Sequence, residues 1–236
     1  MKVISVTKEK ILIGVYLFVI VIGLMLTLRN ETVMTSNVSM PLSKKIILID
    51  AGHGGLDPGK VSGSTEEKTI NLAIAQKLQS YLEQADATVF MTRVDDSDLA
   101  RSKKSDMYSK KSDMYSRKLT ADTSNADIFV SIHQNSYPSS NVSGAQVFYF
   151  NRSDNSKRLA ECIQNELKLF INNNNKREVS ENSSYYVLKK TSMPAVIVEC
   201  GFLTNPNEKG LLLDSEYQEK IAWAVYMGIV DYFRED

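Results

Sequence analysis

Short runs of β-branched and aromatic residues recur along this chain, and segments with helical spacing separate them. They are KIILID at 45–50, TVFM at 88–91, IFVSI at 128–132, AQVFYF at 145–150 and AVIVE at 195–199. Apolar runs of this length read as strands, and Tyr185 to Leu188 reads as one more. Between the runs, Thr69 to Ala85 carries Ile70, Ile74, Leu78, Tyr81 and Leu82 on one helical face. A second helix is expected from about Asn155 to Ile171. A third, about Ser215 to Phe233, lines up Tyr217, Ile221, Val225, Ile229 and Tyr232. Strands alternating with amphipathic helices predict a single α/β domain with a mostly parallel or mixed, twisted central sheet and helices on both faces.

That domain is expected to span residues 45–236. Ahead of it, Ile11 to Leu28 reads ILIGVYLFVIVIGLMLTL, uncharged throughout. At 1.5 Å per residue such a helix reaches about 27 Å, enough for a thin bilayer. Lys2, Lys8 and Lys10 precede it, so residues 1–10 are expected to stay in the cytoplasm and the chain after Arg29 to be exported. The expected result is an N-terminal membrane helix at 11–28, as a signal-anchor or a cleaved signal peptide. The run is longer than a usual signal-peptide core and no A-x-A site follows, which favours the anchor. Residues 29–44, RNETVMTSNVSMPLSK, are polar and aperiodic and read as a flexible linker.

Basic and acidic side chains balance at 28 each, so no excess of positive charge draws a polyanion, and nucleic acid is not an expected partner. The two cysteines, with no CxxC pair, build neither a disulfide scaffold nor a cysteine zinc site. The GHGGLDPG turn lacks both GxGxxG and GK[ST], which excludes the usual dinucleotide and P-loop fingerprints.

Histidine is as scarce as cysteine, with only two in the chain. His53 falls in the Gly-rich turn after the first strand, and His133 closes IFVSI. Glu199 closes AVIVE, and Glu67 opens the first helix just beyond the His53 loop. In open α/β sheets, ligands bind at the carboxyl ends of strands. Either histidine alone is more simply a structural residue; together with the two glutamates, the four are expected to converge on one rim. Two imidazoles and a carboxylate suit a zinc ion with one coordination position left for water. Such chemistry needs a further, unligated group to move a proton, and Glu199, held on an interior strand, is the candidate. Cys200 should point to the opposite face and serve packing.

Four blocks, IDAGHGG, EEKTINLAIAQKL, ADIFVSIHQN and PAVIVECGFLTN, appear in this order and resemble the zinc-dependent N-acetylmuramoyl-L-alanine amidases of the amidase-3 type. The resemblance covers about Lys45 to Phe233. It implies one zinc ion (Zn2+) per chain held by His53, Glu67 and His133, with Glu199 as catalytic acid/base. It also implies the substrate, the amide between N-acetylmuramic acid and L-alanine in peptidoglycan. It selects Glu67 over Glu66 because the family glutamate directly precedes the lysine matched by Lys68. Thr69 stands where the family often has Asp, and Gln134 where it often has Ala; both bear on substrate preference. Arg93 and Arg117 sit near family arginines, with a solvated structural role equally open.

With an anchor, one catalytic domain and no repeated wall-binding module, the layout resembles the germination-specific CwlD group of spore formers. That implies muramic-δ-lactam formation in the spore cortex, a location at the outer membrane face or secreted (the forespore intermembrane space), and an accessory or targeting protein. The alternatives are another zinc peptidoglycan hydrolase of carboxypeptidase type, or a non-catalytic peptidoglycan-binding protein. KKSDMYS occurs at 103–109 and again at 110–116. A heptad insertion turns a helix by only about 20°, so this reads as a tolerated tandem duplication in an exposed region.

Overall fold

The computed structural model describes residues 7–29, 40–99, 110–172 and 174–234. It divides into two units, Met1–Ser39 and Met40–Asp236. The first contains helix α1 (Lys8–Arg29), whose side chains are described as far as Met25 and are exposed. Lys8, Glu9 and Lys10 occupy its first turn, and the described side chains stop short of Leu28, where the uncharged run ends. Among the described residues no helix is long and apolar enough to cross a membrane.

The second unit begins earlier than the expected boundary at Lys45. Residues 41–44 form a turn that buries Leu42 completely in the main core, and the Ser43 hydroxyl donates to Asp86 Oδ2 at 2.7 Å.

The strands are β1 (Ile46–Ala51), the small hairpin β2 (Val61–Ser62) and β3 (Thr65–Glu66), β4 (Thr88–Met91), β5 (Ile128–Asn135), β6 (Gln146–Tyr149), β7 (Ser180–Glu181) and β8 (Ala195–Phe202). Six of them form one sheet in the order β4-β1-β5-β8-β6-β7. β4, β1, β5 and β8 run parallel, β6 is antiparallel to β8, and β7 is parallel to β6. The sheet is therefore mixed, with its parallel part carrying the rim on which the histidines lie.

The helices are α2 (Glu67–Gln84), α3 (Lys110–Thr123), α4 (Asp154–Phe170), α5 (Tyr186–Lys190), α6 (Pro206–Leu212) and α7 (Ser215–Arg234). Strand alternation sorts the core. Ile47, Ile49, Ile128, Val130, Ile132, Val196 and Val198 join Ile74 and Leu78 of α2, Ile163 of α4 and Val225 of α7 in the larger cluster. Leu48, Phe129 and Ile197 point the other way and join Ala121 of α3 with Val187 and Leu188 of α5. Gly228 lets α7 lie against α4, since a Cβ there would stand 2.5 Å from Ile163 Cα. The Ser153 hydroxyl caps α4 by accepting from Ser156 N, and Asn205 caps α6 by accepting from Asn207 N and Glu208 N, with Pro206 at the first turn.

One expected element differs. Tyr185 to Leu188 is not a strand: the segment enters α5. The Asn182 side chain accepts from Ser184 N and Tyr185 N, turning the chain, and Lys189 N then bonds to Tyr185 O at 3.1 Å. Both edges of β8 are already taken by β5 and β6, so no ladder there is open to a further strand. Of the duplicated heptads, 103–109 lies outside the described residues, whereas 110–116 opens α3.

Candidate metal centre

β1, β5 and β8 are adjacent and parallel, so their carboxyl ends open on one rim. His133 and Glu199 are register partners across β5 and β8, and both share the face of Phe129 and Ile197. Asp50 and Ser131 are register partners one step deeper on the same face. Glu199 is not the last residue of its strand, because β8 continues to Phe202.

His53 follows β1 through Gly52. A Cβ on Gly52 would lie 2.3 Å from His133 Cε1, so only glycine lets the His133 ring rest over this turn. His53 has φ 62°, the left-handed region that costs a side-chain-bearing residue about 1–3 kcal/mol unless its surroundings hold it. They do. Arg117 Nη2 donates to His53 O at 2.7 Å, and Arg93 donates to the carbonyls of Ala51 (2.8 Å), Gly52 (3.1 Å) and Lys68 (2.8 Å). The two arginines are 3% and 4% exposed. They are buried clamps on the backbone, which corrects the expectation of solvated positions.

Glu67 opens α2 and is buried. Its Oε1 lies 3.1 Å from His133 Nδ1 and 3.3 Å from His53 Nε2, and it accepts from Gln134 N at 3.0 Å. Oε2 accepts from Lys60 N at 2.8 Å. Burial pushes the Glu67 carboxyl upward, but the hydrogen bonds from His133 and His53 outweigh it and hold the group well below the usual carboxylate range. The far nitrogen of His53, Nδ1, lies 2.8 Å from Asp57 Oδ2. This is the outer carboxylate that commonly orients a metal-binding imidazole.

Donor atoms from His53, Glu67 and His133 all lie within 4.8 Å of one another. They border a cavity of about 370 Å³ that Glu199, Tyr185 and Met114 also line. Two imidazole nitrogens and one carboxylate oxygen, with open space beside them, fit a zinc ion. Glu199 is 6% exposed; Oε1 accepts from the Tyr185 hydroxyl at 3.3 Å, and Oε2 has no partner among the described residues. Burial pushes its carboxyl up to about 7.

The structure thus brings all four sequence-derived residues together. It adds Asp57, Asn71, whose amide donates to Glu67 Oε1 and Gly52 O, Asp50 and Tyr185, none of which the sequence singled out. Asp57, four residues after His53 in the same turn, carried the only visible signal. Thr69 is exposed and the Gln134 amide donates to Asn71 Oδ1, so neither adds a donor to the cluster. Cys200 is buried in the larger core, where burial pushes its thiol up and keeps it protonated.

A mixed α/β sheet whose rim holds a His, His, Glu cluster that could hold a metal ion, with a buried carboxylate beside it, is an arrangement that suits the hydrolase class. Comparison with known proteins narrows the class. The chain belongs to the N-acetylmuramoyl-L-alanine amidase family (Amidase_3), whose model matches residues 47–231. It is 39% identical over 205 residues to the germination-specific N-acetylmuramoyl-L-alanine amidase of Bacillus subtilis, covering 84% of this chain and 83% of that protein. Among solved structures it resembles the CwlD amidase of Clostridioides difficile, in complex with the GerS lipoprotein (45% identity, TM-score 0.78, 81% of this chain and 100% of that one). It also resembles an N-acetylmuramoyl-L-alanine amidase of Clostridium difficile 630 (32% identity, TM-score 0.72, 81% and 98%).

Proposed function

We propose that this protein hydrolyses the amide between the lactyl group of N-acetylmuramic acid and L-alanine in peptidoglycan, with zinc held by His53, Glu67 and His133 and with Glu199 as acid/base. The observation that carries the mechanism is Glu199 itself, a buried carboxylate beside the cluster with one oxygen unpartnered among the described residues. When bound, zinc supplies Lewis acidity toward the amide carbonyl and an acidified water. Glu199 takes a proton from the attacking water and returns it to the departing nitrogen. The C–N bond breaks, leaving a lactyl carboxylate and the free amine of L-alanine. A carboxyl raised to about 7 by burial suits both duties near neutral pH. The Tyr185 hydroxyl occupies Oε1, which leaves Oε2 for the proton.

Similarity to a germination-specific amidase supports a substrate in the spore cortex and a part in forming muramic-δ-lactam. The apolar run at 11–28 behind three lysines supports export, with the run as a membrane anchor at the outer face. A relative in complex with a lipoprotein supports an accessory partner.

The test is muropeptide analysis of purified peptidoglycan digested with the detergent-solubilised full chain. Intact stem peptides and bare glycan are expected, with activity lost to a chelator and restored by zinc. Release of terminal amino acids from otherwise attached stems would assign a carboxypeptidase instead.

A further inference from the structure

Arg117 lies on α3, just after the second KKSDMYS copy, and is enclosed. Its Nε donates to Asp113 Oδ2 at 2.7 Å, and Nη1 pairs with Asp50 Oδ1 and donates to Ala51 O at 3.1 Å. Nη2 reaches His53 O at 2.7 Å. Both carboxylates are fixed in turn: Asp113 Oδ1 accepts from Leu99 N at 2.9 Å, and Asp50 accepts from Thr92 and Ser131 hydroxyls at 2.7 and 2.5 Å. The guanidinium therefore spans from a helix to the end of β1 and on to the histidine beyond it.

We propose that Arg117 is a positioning residue for His53. Through its fork on the two carbonyls it locks the left-handed turn that aims the imidazole at Glu67 and His133, and so ties the docking of α3 to metal affinity. This rests on the reading of His53, Glu67 and His133 as zinc ligands. Arg93 is not a substitute, because among the described residues its hydrogen bonds go to the carbonyls of Ala51, Gly52, Lys68 and Asp95. A lysine is not one either, since a point charge cannot bridge two carboxylates and two carbonyls in a plane. The same logic separates the two heptads. Four residues after Asp113 comes Arg117, whereas four after Asp106 comes Lys110. Only the second copy places its aspartate one helical turn before the guanidinium.

The experiment compares the full chain with Arg117→Lys and with a control, Arg158→Lys. Arg158, near the start of α4, donates to Tyr232 O at 2.9 Å and packs over the Tyr232 ring. Zinc affinity is measured by chelator competition, thermal stability on metal-free protein, and ligand geometry from the visible absorption of the cobalt-loaded form. Arg117→Lys is expected to weaken zinc binding about tenfold or more and to change the cobalt spectrum, as loss of an outer partner does. Arg158→Lys is expected to lose only stability. Zinc binding within about twofold of the parent and an unchanged cobalt spectrum in Arg117→Lys overturn the proposal. If that variant does not fold, Asp113→Asn, which removes the charge that steadies the guanidinium and so loosens its fork on the two carbonyls, is expected to weaken zinc binding in the same direction by less, and unchanged affinity again overturns it. A parent chain that takes up no zinc overturns instead the metal reading on which the proposal rests.

Discussion

On one face of the sheet, α2, α4 and α7 cover an unbroken apolar surface that runs from Ile47 through Ile132 to Val198. On the other, α3 and α5 pack in a smaller apolar cluster around Leu48, Phe129 and Ile197. Further along that side the same strands carry Asp50, Ser131, His133 and Glu199. One face spends its residues on packing and the other on chemistry. The difference comes from alternation alone, because one strand supplies both: Val198 and Cys200 point into the thick core while Glu199 between them points to the cavity.

Variants on the two faces should therefore fail in different ways. The largest effect belongs to His53→Ala on the thin face, expected to lose both zinc, by metal analysis, and detectable muropeptide release. Glu199→Gln should come next. It is expected to retain a full zinc complement while turnover falls by roughly 10² to 10⁴; normal hydrolysis of purified peptidoglycan would remove Glu199 from the mechanism. On the thick face, Ile163→Ala should cost about 2–5 kcal/mol of folding free energy in denaturant titration, with zinc stoichiometry in the folded fraction unchanged. Loss of zinc there at constant stability would erase the division between faces. The smallest effect is expected from Tyr185→Phe, which keeps the ring against Phe148 and removes one hydrogen bond to Glu199. It should lower kcat about three- to tenfold, equivalent to about 1 kcal/mol, and leave KM and melting temperature in place.

The parallel strands and the long helices were legible because their patterns are strong. KIILID and AVIVE are unbroken apolar runs, and Ile70, Ile74 and Leu78 hold the helical period. The donor cluster was legible for a different reason: with so few histidines, the position of each at a strand end carried weight. Tyr185 to Leu188 misled because a short apolar run has no period of its own, and the turn held by the Asn182 side chain ahead of it leads the segment into a helix. Arg93 and Arg117 could not be read at all. Their roles depend on which carbonyls they meet, and those partners lie up to 66 residues away in the chain.

β8 lies between β5 and β6 although it follows both in the chain. Until that late segment is threaded into the gap, the sheet is two separate pieces and Glu199 has no neighbour in register. Completion of the sheet and arrival of Glu199 at the cavity are consequently one event. A chain interrupted before residue 195 lacks both the strand that joins the two pieces and the carboxylate it carries to the cavity.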